Sequence, residues 1–552
     1  MERRTGAISS AASGSVPYPE QFARHYRSVG HWRDETLQEF AVRRLDRLGD
    51  RTALHGLDHR GRELRLTYSD LSARAARIAA GLAEHGIGAG DRVVVQLPNS
   101  IEFVEAVLAL FRIGAIPVFA LPAHRLEVAG FIERSGAVAY LVPAVHAGTD
   151  YRELAREIGR AVSRRPLVVV AGEPAEFVSF DSLREFSPMD DLVCVDSEDI
   201  ALLQLSGGTT GAPKLIPRTH ADYLYAIRAS ADICDLGSGT VMLVALPAAH
   251  NFSMSSPGWL GALHAGAQVV LAPDPLPDTA FELIGRFGVT ITGLVPSLAL
   301  AWLAAHEGVD DDLSSLEVVQ VGGAKLGVHA ARRIRDELGC TLQQVFGMAE
   351  GLVNYTRLGD PADTILATQG RPASPDDEIR IVDHADNPVP RGEAGHLQTR
   401  GPCTIRGYYR APEHNVGAFT ADGFYRTGDI VRLTEDGNLV VEGRSKDQIN
   451  RCGEKFAADE IEQTLMTHPD VREAAVVAVP DDLLGERSCA FLVIAQNAGK
   501  MPAPCMIRQF VRGCGLATYK IPDQIEFVAG LPKTAVGKID KRALRDRAEE
   551  GR

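Results

Sequence analysis

Short apolar runs recur along the first half of the chain, at Arg92 to Leu97, Ile116 to Phe119, Ala139 to Val142 and Leu167 to Val170. They lack the polar alternation of a half-solvated strand, so they predict strands buried on both faces. Stretches with helical spacing lie between them, and the alternation predicts parallel strands in α/β layers. The longest apolar segment, Phe103 to Ala123, is interrupted by Glu105, Arg112 and Pro117. It predicts a core helix followed by a strand rather than a membrane span. Val241 to Leu246, Gln268 to Leu271, Val289 to Val295 and Val318 to Val321 predict a second α/β half. Beyond about Glu378 the strands become shorter and are separated by Gly, Pro, Asn and Asp. Glu378 to Asp383, Gly395 to Arg400 and Asn438 to Glu442 therefore predict a compact β-rich subdomain. The tail reads helix, strand, strand, helix over Ala457 to His468, Val471 to Val479, Ser488 to Ala495 and Cys505 to Gly515. It is long enough for a small α+β domain of its own.

Composition narrows the partners. A chain of 552 residues with a formal net charge of −14 is too long for one ordinary domain. Its acidity excludes nucleic acid or an anionic membrane as the main partner. The eight cysteines are scattered without a Cys-x-x-Cys pair, which predicts reduced, structural thiols. Met1 to Tyr18 lacks the continuous apolar run of a secretory signal, so a cytoplasmic protein without membrane insertion is the expectation. Gly86 to Gly90 looks like a dinucleotide loop, yet it follows a helix and precedes a strand, the reverse of the required order. It reads as a turn.

The chemistry centres on Ser206-Gly207-Gly208-Thr209-Thr210-Gly211-Ala212-Pro213-Lys214. Glycines, hydroxyls and one lysine at the end of an apolar run, Ile200 to Leu205, suit a row of phosphate oxygens. Pro213 removes a backbone donor and the Gly-Lys-Ser/Thr spacing is absent, so this is not the fingerprint loop that opens a helix. Phe346 to Gly351 ends a strand in Glu350, a carboxylate able to hold Mg2+ on phosphates. Tyr425 to Asp429 offers Asp429 in a tight loop, where it could grip ribose hydroxyls or simply form a turn. Lys538 follows Gly537 in a loop free to swing, where a lysine on its own is ordinarily solvated.

In order and spacing these stretches, with Gly443-Arg444, resemble those of the ATP-dependent acyl- and aryl-adenylating enzymes: acyl-CoA synthetases, luciferases and the adenylation domains of nonribosomal peptide synthesis. The likeness runs from about Glu20 to Arg542. It implies an N-terminal adenylation domain over residues 1–443, a hinge at 444–447 with Lys446 at its centre, and a mobile C-terminal domain over 448–552. It also implies that Ser206 to Gly211 and Lys214, through Thr209 and Thr210 in particular, hold ATP phosphates. Gly323, Ala324, Val345, Phe346 and Gly347 would line the adenine site, Asp429 and Arg444 would hold ribose, and Glu350 would bind Mg2+. Lys538 would be the adenylation lysine, supplying an ammonium ion as charge concentrates on the α-phosphate.

Within this family His250-Asn251-Phe252-Ser253-Met254-Ser255-Ser256 resembles the acid-binding segment of stand-alone aryl-acid ligases of siderophore synthesis. Asn251 stands where amino-acid-activating relatives keep an Asp, implying an acid without an α-amino group. Asn251 would bond an ortho hydroxyl, His250 would lie by the carboxylate, and Phe252 and Gly322 would border the ring. Ser256 and Val353 match the dihydroxybenzoate enzymes rather than the Cys and Leu of salicylate enzymes, so 2,3-dihydroxybenzoate is favoured over salicylate. A buried hydroxyl without a partner costs about 1–3 kcal/mol. Arg451 to Lys455 resembles the segment facing the pantetheine thiol, with Gly453, Glu454 and Lys455 in place and Cys452 where relatives have Gly. The implied acceptor is a phosphopantetheinylated aryl carrier protein. The alternatives are an acyl- or aryl-CoA synthetase and a non-catalytic adenylate-binding scaffold.

Overall fold

The computed structural model describes residues 14–189, 193–206, 213–306, 312–451, 454–481, 484–495, 501–514, 516, 518–534 and 537–550. A seven-stranded sheet has the spatial order Leu215–Thr219, Ile200–Leu205, Ile116–Phe119, Arg92–Val95, Ala139–Pro143, Leu167–Ala171 and Val178–Ser179. All neighbours pair in parallel except the edge hairpin formed by its first two strands. A nine-stranded sheet carries the parallel run Thr341–Gly347, Val318–Gly322, Ile291–Leu294, Val241–Val244 and Gln268–Leu271. Both expected α/β halves are therefore present. The second half is completed from outside itself: the hairpin Thr52–Leu57/Glu63–Thr67 crosses over to place Leu54 opposite Val269.

One apolar core joins the facing sides of both sheets, with Val93, Phe119 and Leu141 from one and Leu54, Val269 and Val345 from the other. Helix Ile101–Arg112 fills it. Ser100 caps this helix through the amide of Phe103, and Ile101 to Phe111 are all buried. The charges that interrupt its apolar pattern are paired rather than exposed. Glu105 meets Arg184 and, at 3.2 Å, Arg74, while Glu102 accepts from His59 at 3.0 Å and lies 3.4 Å from Arg184. Burial pushes the Glu105 carboxyl upward and the two arginines oppose this. No helix among the described residues is long and apolar enough to cross a membrane.

Strands Glu378–Val382, Gly395–Arg400, Tyr425–Leu433 and Leu439–Arg444 form the antiparallel subdomain. Here the expected tight loop at Tyr425 to Asp429 is corrected: these residues open a strand. The loop-like signal comes from Gly428 at φ +75° and from register shifts on both sides of the strand. The tail forms a sheet of Gln448–Arg451, Glu454–Ala457, Val471–Asp481, Gly485–Ile494 and Gln524–Phe527. Its two cores run from Ile449 to Ala548 and use no buried residue of the larger part.

Replacing Arg184 by Leu leaves Glu105 buried beside only one partial partner. We expect a loss of about 3–5 kcal/mol in unfolding stability near neutral pH. A raised carboxylate pKa costs stability above it and not below, so the deficit should shrink as pH falls toward 5. Thermal melts at pH 5 and 7.5 check this; a deficit that is absent or independent of pH would contradict it.

Candidate active site

The phosphate-loop candidates Gly207, Gly208, Thr209, Thr210 and Gly211 lie outside the described residues, and its two ends are visible. Strands Ile200–Leu205 and Leu215–Thr219 form a hairpin whose last pair is Leu205 opposite Leu215. Ser206 closes the neck twice: its amide donates to the Lys214 carbonyl at 2.9 Å, and its Oγ accepts from the Lys214 amide at 2.9 Å. The two ends of the segment, Ser206 and Lys214, are thus held together at the end of the hairpin. The Lys214 ammonium sits 5.9 Å from the Tyr408 ring centroid.

Tyr408 joins Lys214 to the carboxylate. Its hydroxyl donates to Glu350 Oε1 at 2.7 Å and lies 2.9 Å from the Tyr425 hydroxyl. Burial and then the Glu350 charge push both phenols well up, so they stay protonated. Glu350 sits in the turn after strand Thr341–Gly347, pinned by Gly351 N to Met348 O at 3.0 Å and by Ile405 N to its own carbonyl at 2.8 Å. Gly351 has φ +144°, and a Cβ there would lie 2.3 Å from the Cys403 carbonyl oxygen, so only glycine fits. Within the described residues no third metal-ligating side chain gathers here. One carboxylate is nevertheless a sufficient protein donor for Mg2+, which can draw its other ligands from phosphates and water.

Asp429 and Arg444 face each other across neighbouring strands, with Arg444 Nε 2.9 Å from Asp429 Oδ1. Asp429 is buried, which pushes its carboxyl up, and Arg444 opposes this. Lys538 enters from the tail. It is not swinging free: Thr534 N donates to Lys538 O at 2.7 Å, Gly537 N donates to Thr534 O at 2.9 Å, and Ser297 Oγ donates to the Gly537 carbonyl at 3.0 Å. Lys325, 3.6 Å from Glu442 and 3.5 Å from Asp459, ties the tail to the larger part. The Lys538 side chain lies over Gly323, where φ is +84° and a Cβ would come 3.0 Å from Lys538 Cε. Burial, then the Arg444 charge, lower the Lys538 ammonium to about 8; Asp429 and Glu350 oppose the shift.

Gly322, opposite Val345, ends its strand against the acid-binding segment. A Cβ on Gly322 would stand 3.2 Å from Phe252 Cζ, and one on Gly293 would stand 3.4 Å from the same ring, so two glycines make room for Phe252. Phe346 is half-buried against the Leu352, Leu397 and Val431 cluster, while Gly323, Ala324 and Gly347 are exposed. His250 caps the helical turn Asn251–Ser255, its Nδ1 accepting from the Phe252 amide at 3.3 Å. Burial and then Lys538 lower His250 to about 3. The ring is neutral, and because Nδ1 accepts, its proton belongs on Nε2. Asn251 Oδ1 accepts from Tyr223 at 3.0 Å. Ser256 is buried, and the Tyr355 phenol donates to Ser230 at 2.8 Å. Val353 is buried beside Gly347.

The structure thus gathers Lys214, Glu350, Asp429, Arg444, Lys538 and His250 with Gly322, Gly323 and Phe252. Lys446 lies in the short turn Ser445–Asp447, and Glu454 and Lys455 lie on strand Glu454–Ala457. Cys452 and Gly453 lie outside the described residues. Sequence reasoning missed Tyr408, Tyr425, Tyr223 and Tyr355. No local pattern marks them, because each reaches its partner from a distant part of the chain.

Residues 42–409 match the AMP-binding enzyme family and residues 460–538 match the AMP-binding enzyme C-terminal domain. The chain is 54% identical over 539 residues to the 2,3-dihydroxybenzoate-AMP ligase of Bacillus subtilis, spanning 97% of this chain and 98% of that protein. It is 46% identical to the salicyl-AMP ligase / salicyl-S-ArCP synthetase of Mycobacterium tuberculosis, over 96% of this chain and 94% of the relative. Among solved structures, the apo structure of Mycobacterium smegmatis MbtA matches with a TM-score of 0.75 at 46% identity, over 98% of this chain and all of that one. With paired Asp429 and Arg444 and a lysine delivered by the tail, the chain belongs to the AMP-binding enzymes.

Proposed function

We propose that the chain activates an aryl acid, 2,3-dihydroxybenzoate in preference to salicylate, to aryl-AMP at the expense of ATP, and then transfers the aryl group to the phosphopantetheine thiol of a carrier protein in cytoplasmic siderophore assembly. The observation that carries this reading is the meeting of Lys538 with Asp429, Arg444 and Glu350 beside the His250–Asn251–Phe252 segment. Near-full-length similarity to aryl-acid ligases supports it.

In the first step an acid carboxylate oxygen attacks the α-phosphorus and the bond to the bridging oxygen breaks, its electron pair leaving with pyrophosphate. Thr209, Thr210 and Lys214 would hold the departing phosphates, Asp429 and Arg444 the ribose, and Gly323, Ala324, Val345, Phe346 and Gly347 the base. Lys538 would stabilise the charge that grows at the reacting phosphate. Neutral His250 would donate a hydrogen bond from Nε2–H to the acid carboxylate, which keeps its charge. Mg2+, when bound through Glu350, would supply charge neutralisation on the phosphates. In the second step the carrier thiol, losing its proton to solvent, forms the thioester and AMP leaves. That step needs the tail to turn about Lys446 and bring Gly453, Glu454 and Lys455 to the pantetheine, so residues 1–443 and 448–552 are read as the two moving domains. The choice of acid follows from buried Ser256, whose hydroxyl can partner a 3-hydroxyl, and from Val353, smaller than Leu by one methylene.

Pyrophosphate exchange should be highest with 2,3-dihydroxybenzoate, and a clear excess with salicylate would overturn the role of Ser256 and Val353. Lys538→Ala should cut adenylation by at least about a hundredfold yet leave thioester formation from supplied aryl-AMP largely intact; equal losses in both steps would remove Lys538 from its assigned role. Because the working form of Lys538 is the ammonium, kcat/KM for ATP should fall as pH rises through about 8. Bound polyphosphate should move the corresponding limb of kcat higher. A kcat/KM profile flat to pH 9.5, or identical in Lys538→Arg, would contradict this.

A further inference from the structure

We infer that Tyr223 is a positioning residue that fixes which end of the Asn251 carboxamide faces the acid, and that it thereby sets the selectivity for an ortho hydroxyl over an ortho amino group; this rests on the reading of Asn251 as an acid-binding residue. Tyr223 is fully buried on helix His220–Ile233. Its hydroxyl donates to Asn251 Oδ1 at 3.0 Å. Ser255, one turn along from Asn251, donates to the same oxygen and to the Asn251 carbonyl, both at 3.3 Å.

This arrangement does not titrate in the working range. Burial pushes the Tyr223 phenol up to about 12, so it remains a donor. The ring is also clamped: the Arg218 guanidinium lies 4.9 Å from its centroid, and Arg218 Nε is paired with buried Asp222 Oδ1 at 2.8 Å. Arg218 in turn donates to the Ala349 carbonyl at 3.0 Å, beside Glu350. The donor to Asn251 is therefore held at the same strand-to-helix junction that holds the Glu350 turn.

A carboxamide whose oxygen receives two donors must turn its NH2 the other way. That end can only donate, so it takes an oxygen lone pair, such as the one on the ortho hydroxyl of a hydroxybenzoate. A reversed amide would present its oxygen and suit an ortho amino group. Reversing it in this structure would aim N–H groups at the Tyr223 and Ser255 donors, which is the barrier that maintains selectivity.

The test measures pyrophosphate exchange with salicylate, benzoate and 2-aminobenzoate for wild type, Tyr223→Phe, Ser255→Ala, Asn251→Ala and the Tyr223→Phe/Asn251→Ala double variant. Tyr223→Phe should lower the salicylate-to-benzoate ratio of kcat/KM about tenfold, as expected for one lost buried hydrogen bond. The change should lie mainly in KM, with 2-aminobenzoate rising relative to salicylate. In the Asn251→Ala background Tyr223→Phe should leave that ratio unmoved. Ser255→Ala should shift it in the same direction by about threefold, and carries the test if Tyr223→Phe does not fold. Unchanged ratios in the single variants, or a Tyr223→Phe effect that persists without Asn251, would overturn the inference. A wild type with no preference for salicylate over benzoate would overturn the reading of Asn251 and this inference together; a wild-type preference left intact by Tyr223→Phe would overturn this inference alone.

Discussion

Everything in the site depends on one enforced encounter, the burial of the Lys538 ammonium beside Arg444 with only Asp429 and Glu350 to offset it. An ammonium ion removed from water is costly unless it is paired, and here a like charge stands among its neighbours. The cation is weakened but not lost, since a pKa of about 8 keeps the ammonium the main form near neutral pH. In the proposed reaction the lysine would contribute most where negative charge grows.

The rest of the fold can be read as support for that encounter. The tail is a domain with its own cores, so it can dock as a unit; it touches the larger part through Lys325, Ser297 and Gly323. The docking contacts described here are polar or involve glycine rather than large apolar side chains, which suits a contact that must break for the second half-reaction. On the other side, buried polar groups fix the receiving surface. Arg218, near the end of strand Leu215–Thr219, and Asp222 and Tyr223, in the first turn of the helix that follows, reach both the Glu350 turn and Asn251, so these two share one rigid support.

The sequence was most legible where periodicity and glycine carry the signal. Ile116–Phe119, Ile200–Leu205 and Gln268–Leu271 fall where the apolar pattern puts them, because a strand buried on both faces tolerates little but apolar residues. Tyr425 to Asp429 was misread as a loop, since Gly428 and two register shifts give a bulged strand the composition of a turn. Glu105 looked like a break in a core helix, whereas Arg184 and Arg74 arrive from elsewhere to neutralise it. The same limit hid Tyr408, Tyr223 and Tyr355. A hydrogen bond between residues brought together only by tertiary structure leaves no local pattern, and an isolated tyrosine reads as core. The site residues recognisable in advance are those in motifs; the groups that aim them are not.

The most direct measurement is a crystal structure of the protein with a non-hydrolysable aryl-AMP analogue. The account requires the ribose on Asp429, the ammonium of Lys538 at the phosphate-mimicking linkage, and the ring against Phe252 with its ortho oxygen on the Asn251 amide nitrogen. A ring bound outside that pocket, or a Lys538 that stays in solvent while the analogue is fully bound, would contradict it.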